Sequence, residues 1–112
     1  MALLPQPAAD ELDLSTVLHA LSDRTRRCIL AELVSGPRRC GSFDLPIAKS
    51  SVSHHFKVLR DSGLIRVEAQ GNTRTATLRR DDIEARFPGL LAVTGILDTD
   101  QTAANLRNRD AH

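Results

Sequence analysis

Hydroxyl, imidazole and cationic side chains recur with helical spacing in the stretch KSSVSHHFKVLRDSGLI, residues 49–65. Apolar Val52, Phe56 and Leu59 fall on one helix face, which places the polar side chains on the other face. Short hydrogen-bonding groups near a helix start, followed by cations, suit contacts to base edges and phosphates in the DNA major groove. The candidate DNA-contacting residues of this helix are Lys49, Ser50, Ser51, Ser53, His54, Lys57 and Arg60.

The sequence after this helix decides between DNA binding and an ordinary amphipathic surface helix, whose polar face would contact only water. Ser50 or Ser51 is expected to cap the first turn, and Gly63 stands where a left-handed residue ends a helix. The segments LIRVEA, QGNT and RTATL then alternate like two strands around a tight turn. Helix, turn and hairpin predict a winged helix-turn-helix, with Asn72 and Arg74 of the wing on the flanking DNA backbone or minor groove.

Length and composition are those of one globular domain, with 112 residues of which 41% are hydrophobic. No apolar run is long enough to cross a bilayer, and MALLPQPAAD lacks the basic flank and apolar region of a secretion signal. We therefore expect a cytoplasmic protein with no membrane partner. Cys28 and Cys40 are too few for a disulfide framework and lack zinc-ribbon spacing, so both are expected to be thiols in a reducing compartment.

Charge is segregated along the chain, although the formal net charge is only +1. Residues 46–80 carry seven Lys or Arg against two acids, whereas residues 1–22 and 81–112 each have a net charge of −3. A basic centre between acidic flanks is expected for a surface that faces phosphate.

The chain before the basic centre predicts a disordered arm and two helices. Residues 1–9 hold two prolines and no periodic pattern, whereas residues 10–22 place leucines on one helical stripe. Asp23 is expected to cap a second helix, which Gly36 and Pro37 end.

The segment RRCGSFDLPIAK should contain the first helix of the helix-turn-helix. Residues 40–44 have room for about one turn. Pro46 then forces its predecessor out of helical geometry. We therefore predict a short or irregular element here.

The chain after the hairpin predicts more apolar surface than one small domain can bury. Asp81 stands at a helix start, and Pro88 is allowed in the first turn of a last helix that is apolar over most of its surface. The first and last helices together predict a homodimer interface. The predicted interface residues are Leu14, Leu18, Leu21, Leu90, Leu91, Val93 and Leu97.

The predicted fold is therefore mainly α with a small β-hairpin. Its elements follow the order α-α-α-α-β-β-α of a winged helix-turn-helix, and the assembly is a dimer. Residues 10–97 form the DNA-binding and dimerisation domain, and the polar tail 98–112 is expected to be disordered.

Three segments resemble the ArsR family of bacterial repressors: LSDRTRRCILAELVSG, SSVSHHFKVLRDSGLI and the glycine-turn wing. The resemblance runs from about Leu14 to Leu97, and its most specific part is the pattern S-x-S-H-H-x-K-V-L-R. It implies a homodimer, paired through its first and last helices, that binds a palindromic operator and usually represses the operon it controls.

The metal sites of that family are not matched well by this sequence. The best-known site is a C-x-C pair leading into the first helix of the helix-turn-helix, where this chain offers only Cys40. A lone thiolate cannot chelate a soft metal within one subunit. A second family site carries carboxylate and His ligands on the last helix, and its nearest matches here are Asp98, Asp100 and His112.

The other histidines have simpler interpretations than metal binding. His54 and His55 are adjacent on a helix and point about 100° apart, so they do not chelate one ion easily. We interpret His54 as a DNA contact and His55 as a partly buried packing residue. His19 is a candidate metal ligand or pH-sensitive group, but a simple interface residue is favoured. No cofactor is predicted, and a divalent transition metal is kept as an alternative.

These patterns predict a sequence-specific DNA-binding transcriptional regulator, a repressor that binds double-stranded DNA as a homodimer. One alternative is a metal-responsive sensor of the nickel or zinc type. Another is a winged-helix protein-interaction module that needs a protein co-regulator. An enzyme is not predicted, because no nucleophile with its base, no phosphate-binding glycine loop and no metal-hydrolase pattern is present.

Overall fold

Helices surround a small antiparallel sheet in the computed structural model, which describes residues 2–97. This architecture confirms the predicted winged helix-turn-helix. The elements in chain order are β1 (Ala2–Leu3), a 3-10 turn (Ala9–Glu11), α1 (Leu14–Leu21), α2 (Arg24–Leu33), β2 (Arg38–Arg39), a 3-10 turn (Cys40–Ser42), α3 (Lys49–Ser62), β3 (Ile65–Gln70), β4 (Thr73–Leu78), α4 (Arg80–Arg86) and α5 (Leu90–Val93).

Asp13 and Asp23 are the N-cap residues of α1 and α2. The Asp13 carboxylate accepts a hydrogen bond from the Thr16 backbone N–H at 3.0 Å, and Asp23 accepts one from the Arg26 N–H at 3.0 Å. The predicted cap at Asp23 is therefore confirmed, and α1 spans Leu14–Leu21 with Ser22 as its C-cap. The Thr16 backbone and side-chain hydrogen bonds lower the pKa of Asp13.

One core joins α1, α2 and α3 to the inner face of the sheet. Ile29, Leu30, Leu33 and Leu59 are almost completely buried at its centre. The outer polar positions of each helix are exposed, as the periodicity predicts. This core fixes the orientation of α3, the helix that carries the candidate DNA contacts.

The sheet has four antiparallel strands in the order β1-β3-β4-β2, so the predicted two-stranded hairpin gains one short strand at each edge. Ile65 and Val67 of β3 pair with the buried Leu78 and Ala76 of β4, while Arg66 lies on the outer face. Gly71 has φ 60° in the two-residue turn, which matches a hairpin turn with glycine first. The predicted wing is therefore confirmed.

The prediction of a disordered arm over residues 1–9 is wrong for residues 2–9. Ala2–Leu3 pairs with Ala69 and Glu68, and the Leu4 N–H donates to the Val67 carbonyl at 3.0 Å. The Gln6 side chain accepts from the Val67 N–H, and Arg79 donates to the Pro7 carbonyl at 2.6 Å. The prolines do not prevent this order, because their carbonyls still accept hydrogen bonds.

The segment before α3 is irregular, as predicted. Arg38–Arg39 pairs with Ala76 and Thr75 of β4, and the 3-10 turn Cys40–Ser42 stands where the first helix of the helix-turn-helix was expected. Phe43 anchors the segment with only 9% of its surface exposed. The chain then runs without helical structure to Ala48.

The end of the described chain corrects the predicted last helix. α5 is a single turn, Leu90–Val93, which follows Gly89 at φ 84°. Leu91 and Ile96 are fully buried in the core of the same chain. The predicted tail 98–112 lies outside the described residues. None of the described helices has the length and apolar character needed to span a membrane.

Candidate nucleic-acid interface

α3 presents a polar face because its apolar face is fixed in the core. Phe56 packs edge-on against Phe43 with ring centroids 5.3 Å apart, and Leu59 is fully buried. Gly63 ends the helix at φ 85°, as predicted, and an added Cβ there would collide with the Leu12 side chain. The exposed residues of this face are Lys49, Ser50, Ser51, Ser53, His54 and Lys57.

The N-terminus of α3 is open to a ligand. Its N-cap is Ala48, which makes no side-chain capping bond, so the prediction that Ser50 or Ser51 caps the helix is wrong. Both serines lie inside the first turn instead. The first backbone N–H groups therefore lack a side-chain acceptor and can bind a phosphate, which the helix dipole also favours.

The two adjacent histidines of α3 have different surroundings. His54 is exposed, whereas only 15% of the His55 side chain is exposed. His55 Nδ1 lies 3.2 Å from Arg26 Nη1 and 3.9 Å from Asp23 Oδ2. When Arg26 donates, Nδ1 is the acceptor and the neutral ring carries its proton on Nε2. His55 therefore ties α3 to the start of α2, while His54 is left for a ligand.

Asp23 completes this junction between α2 and α3. Burial opposes its ionisation, but the Arg26 backbone N–H, the His55 imidazole when it is protonated and the Arg26 guanidinium hold the pKa of Asp23 below its usual 3.8. The carboxylate is therefore ionised at neutral pH, where it stabilises the start of α2.

The two cations near the middle and end of α3 are not equivalent. Lys57 Nζ is exposed and lies 2.6 Å from Asp61. The Arg60 side chain is only 17% exposed, and its nearest carboxylate oxygen, on Asp61, is 3.9 Å from Nε. Arg60 faces a groove between α3 and the sheet rather than the outer surface. The prediction that Arg60 contacts DNA phosphate is therefore not supported by its placement.

The wing carries Asn72 at its exposed tip and Arg74 on the adjoining strand. Arg74 pairs with Ala69, which puts it on the same sheet face as Val67 and toward α3. Arg39 of β2 is exposed beside β4, paired with Thr75. The position of Arg39 was not predicted, because the short strand β2 was not predicted. The Arg38-Arg39 doublet after Gly36-Pro37 was the sequence feature that could have indicated it.

A groove of about 570 Å³ lies between α3, the 3-10 turn at residues 40–42 and the wing. Phe43, Val52, Phe56 and Val67 supply its apolar lining. Cys40 also lines it, and burial raises the pKa of this thiol, although Arg74 and Arg60 oppose the shift. The thiol is therefore neutral at physiological pH.

The predicted dimer residues separate into exposed and buried sets. Leu14, Leu18 and Val93 are 47%, 46% and 81% exposed, whereas Leu90 and Leu97 are partly buried against the core. The prediction that Leu21 and Leu91 form a dimer interface is wrong for this chain, because the core of one subunit already covers them.

The candidate metal ligands do not form a cluster in the described part of the chain. Among residues 2–97, no group of three or more His, Cys, Asp or Glu side chains is placed to hold a metal ion. His19 is exposed on α1. Asp98, Asp100 and His112 lie outside the described residues.

Comparisons with known proteins agree with this geometry. The sequence profile described as "Bacterial regulatory protein, arsR family" matches residues 15–67. The uncharacterized HTH-type transcriptional regulator YceK of Bacillus subtilis (strain 168) is 34% identical over 87 residues, 74% of this chain and 87% of that protein. The chain belongs to the ArsR family.

Other ArsR-type comparisons extend this result. The HTH-type transcriptional regulator Rv2034 of Mycobacterium tuberculosis is 39% identical over 61 residues, 53% of this chain and 57% of that protein. The crystal structure of the ArsR family transcriptional regulator RHA00566 superposes with a TM-score of 0.62 at 30% identity, covering 76% of this chain and 96% of that one. This ArsR-family protein is a DNA-binding transcriptional regulator and not an enzyme, as predicted.

Proposed function

We propose that this ArsR-family regulator is a homodimeric repressor that reads a palindromic operator with α3. The observation that carries the proposal is the exposed face of α3, where Ser50, Ser53 and His54 stand beside an uncapped helix N-terminus. Hydroxyl and imidazole groups can bond base edges in the major groove. The first N–H groups of α3 can bond a phosphate.

Positioning on the DNA is assigned to cations around this face. Lys49 and Arg74 are exposed and have no carboxylate partner among the described residues, which leaves both available for phosphate. Lys57 would exchange Asp61 for phosphate, and Asn72 at the wing tip would contact the flanking backbone. Ser51 adds a further hydroxyl in the first turn. Arg60 is left out because its side chain is only 17% exposed, whereas the side chain of Lys57 is 63% exposed.

Selection of binding sequences from a random duplex library tests the proposal. We expect recovery of an inverted repeat, because a two-fold dimer places two copies of α3 on two half-sites. A reporter gene behind the selected site should then be transcribed less when the protein is present. Recovery of no common sequence, or an affinity that does not change with salt, would instead favour a protein-interaction module.

The dimer is argued from exposed apolar side chains on α1. Leu14 and Leu18 are one helical turn apart and each nearly half exposed, so they form one apolar strip. Their proposed occupant is a second copy of the chain, because a palindromic site requires two recognition helices. Leu18→Asp should give a monomer by light scattering, while Leu3→Asp, at another exposed leucine, should remain a dimer. If Leu18→Asp remains a dimer, the interface lies elsewhere on the chain.

A further inference from the structure

The groove behind α3 combines an apolar lining with cations in a way that DNA contact alone does not require. Lys49, Lys57, Arg60 and Arg74 all line it, and within residues 2–97 no carboxylate side chain does. The Cys40 thiol at its wall is neutral, so it offers no counter-charge. The groove is therefore an electropositive site with an apolar interior.

Arg60 is the residue in this groove whose polar atoms most need a ligand. Its Nε is buried and has no hydrogen-bond partner among the described residues. The Asp61 oxygen at 3.9 Å is too distant for a hydrogen bond. A buried guanidinium nitrogen without an acceptor is costly, so the Arg60 guanidinium is incompletely satisfied by the described residues.

The size and lining of the groove favour a small organic molecule over a bare phosphate. About 570 Å³ lies within the range of small-molecule sites, roughly 300–1,000 Å³. Phe43, Val52, Phe56 and Val67 would pack against an apolar body, which inorganic phosphate lacks. The 3-10 turn Cys40–Ser42 and the residue after it, Phe43, line one wall of this space.

We propose that this groove binds a small organic carboxylate with an apolar body, and that the bound anion competes with DNA. The carboxylate would accept hydrogen bonds from Arg60, with Arg74 alongside, and the apolar body would cover Phe56 and Val67. Lys49, Ser53, Lys57 and Arg74 line the groove and also belong to the proposed DNA surface. An occupant would offset part of the positive charge of Lys49, Lys57 and Arg74 and would stand between these side chains and phosphate. This competition rests on the proposed function, whereas anion binding does not.

Calorimetry with decanoate below its micelle concentration tests the binding. We expect one decanoate per chain and a loss of affinity of about tenfold to a hundredfold in Arg60→Met, the size expected for a hydrogen bond to a charged group. Arg66→Met is the matched control, because Arg66 is exposed on the hairpin face opposite Val67 and Arg74 and does not line the groove. Decyltrimethylammonium, with the same tail and the opposite charge, and inorganic sulfate, with no tail, should bind far more weakly.

If circular dichroism shows that Arg60→Met does not fold, a second variant still tests the proposal. Gly41 lines the groove, and a Cβ added there meets no atom within 4 Å, so Gly41→Leu adds bulk without a clash at that atom. It should also weaken decanoate binding. Equal affinity of the wild type and both variants, or equal binding of the cationic amphiphile, would overturn the proposal.

Fluorescence anisotropy of a labelled duplex separates anion binding in the groove from competition between the anion and DNA. In the wild type, decanoate should release the duplex at the concentrations at which calorimetry shows binding. In Arg60→Met, release should need about tenfold or more decanoate, in line with its weaker binding. Decanoate binding without duplex release would overturn the competition. A wild type that binds no duplex even without decanoate would count against the proposed function, and calorimetry would still decide anion binding.

Discussion

The junction of α1, α2 and α3 and the outer face around α3 both carry positive charge, but the charges have different surroundings. At the junction, Arg26 is 7% exposed and donates from Nε to the Ala20 carbonyl at 2.7 Å and from Nη2 to the His19 carbonyl at 3.2 Å. Arg27 donates to the Leu21 carbonyl at 2.6 Å. On the outer face, Lys49 and Arg74 are exposed to solvent.

This contrast shows that a count of basic residues does not locate a DNA-binding surface. The segment RTRR of α2 carries three arginines, whereas residues 65–78 of the wing carry two arginines and one glutamate, yet Arg26 and Arg27 satisfy the last carbonyls of α1. Arg79 was counted in the basic centre but is 8% exposed and bonded to Pro7. The cations available to contact DNA are those whose side chains have no hydrogen-bond acceptor within the protein.

The largest effect should come from the junction. Arg26→Met leaves the buried Ala20 carbonyl without its Arg26 donor and removes the contact between Arg26 and His55, so we expect a loss of about 2–4 kcal/mol in the free energy of unfolding. Urea denaturation measures this loss. Arg66→Met, at an exposed arginine, should change stability by less than about 0.5 kcal/mol. Equal effects of the two substitutions would remove the distinction between the two kinds of arginine.

The next effect should come from the recognition face and should spare stability. His54→Ala removes one base contact, so we expect specific affinity to fall by about 1–3 kcal/mol with an unchanged melting temperature. Competition between the selected operator and random duplex measures the change. If discrimination between the two is unaltered, His54 does not read a base.

A pH-dependent effect should appear at the junction. Asp23→Ala removes the cap of α2 and should cost about 1 kcal/mol at neutral pH. The pKa of Asp23 is lowered in the folded state, so its stabilisation is present above pH 3.8 and is lost as pH falls below that value through the folded-state pKa. The difference between wild type and variant should therefore shrink in acid. Asp23→Asn, which keeps a capping oxygen, is the control. If the stability difference between wild type and Asp23→Ala does not change with pH, the charge of the carboxylate is not what stabilises the start of α2.

The smallest effect should come from the wing. Arg74→Ala should weaken binding to every duplex alike and reduce the salt slope by about 0.9, the contribution of one phosphate contact. Arg66→Ala, on the opposite face of the same hairpin, should leave the slope unchanged. Identical slopes for the wild type and Arg74→Ala would show that Arg74 does not touch phosphate.

Features that depend on neighbours in the sequence were predictable. The periodicity of α3, its end at Gly63 and the hairpin turn at Gly71 are local signals, and the structure confirms all three. The cap at Asp23 is also local. The exposed face of α3 followed from the same periodicity, except at Arg60.

Features that depend on remote partners were not predictable. β1 and β2 form by pairing with the outer edges of β3 and β4, and a two-residue strand is too short to show an alternating hydrophobic pattern in the sequence. The burial of Leu91 depends on the core that α5 meets after Gly89. Arg60 is mostly buried in a groove that the segment before α3 and the wing also line, and no spacing in α3 reveals this.

The order of strands in the sheet also constrains how the chain folds during synthesis. Gln6 bonds to Val67, 61 positions later, and β1 has no partner until β3 has formed. Closing so long a loop costs entropy before any contact is gained, so this edge should assemble last and open first. On the ribosome, Leu3 and Leu4 emerge long before β3 and must remain unpaired until the hairpin follows them.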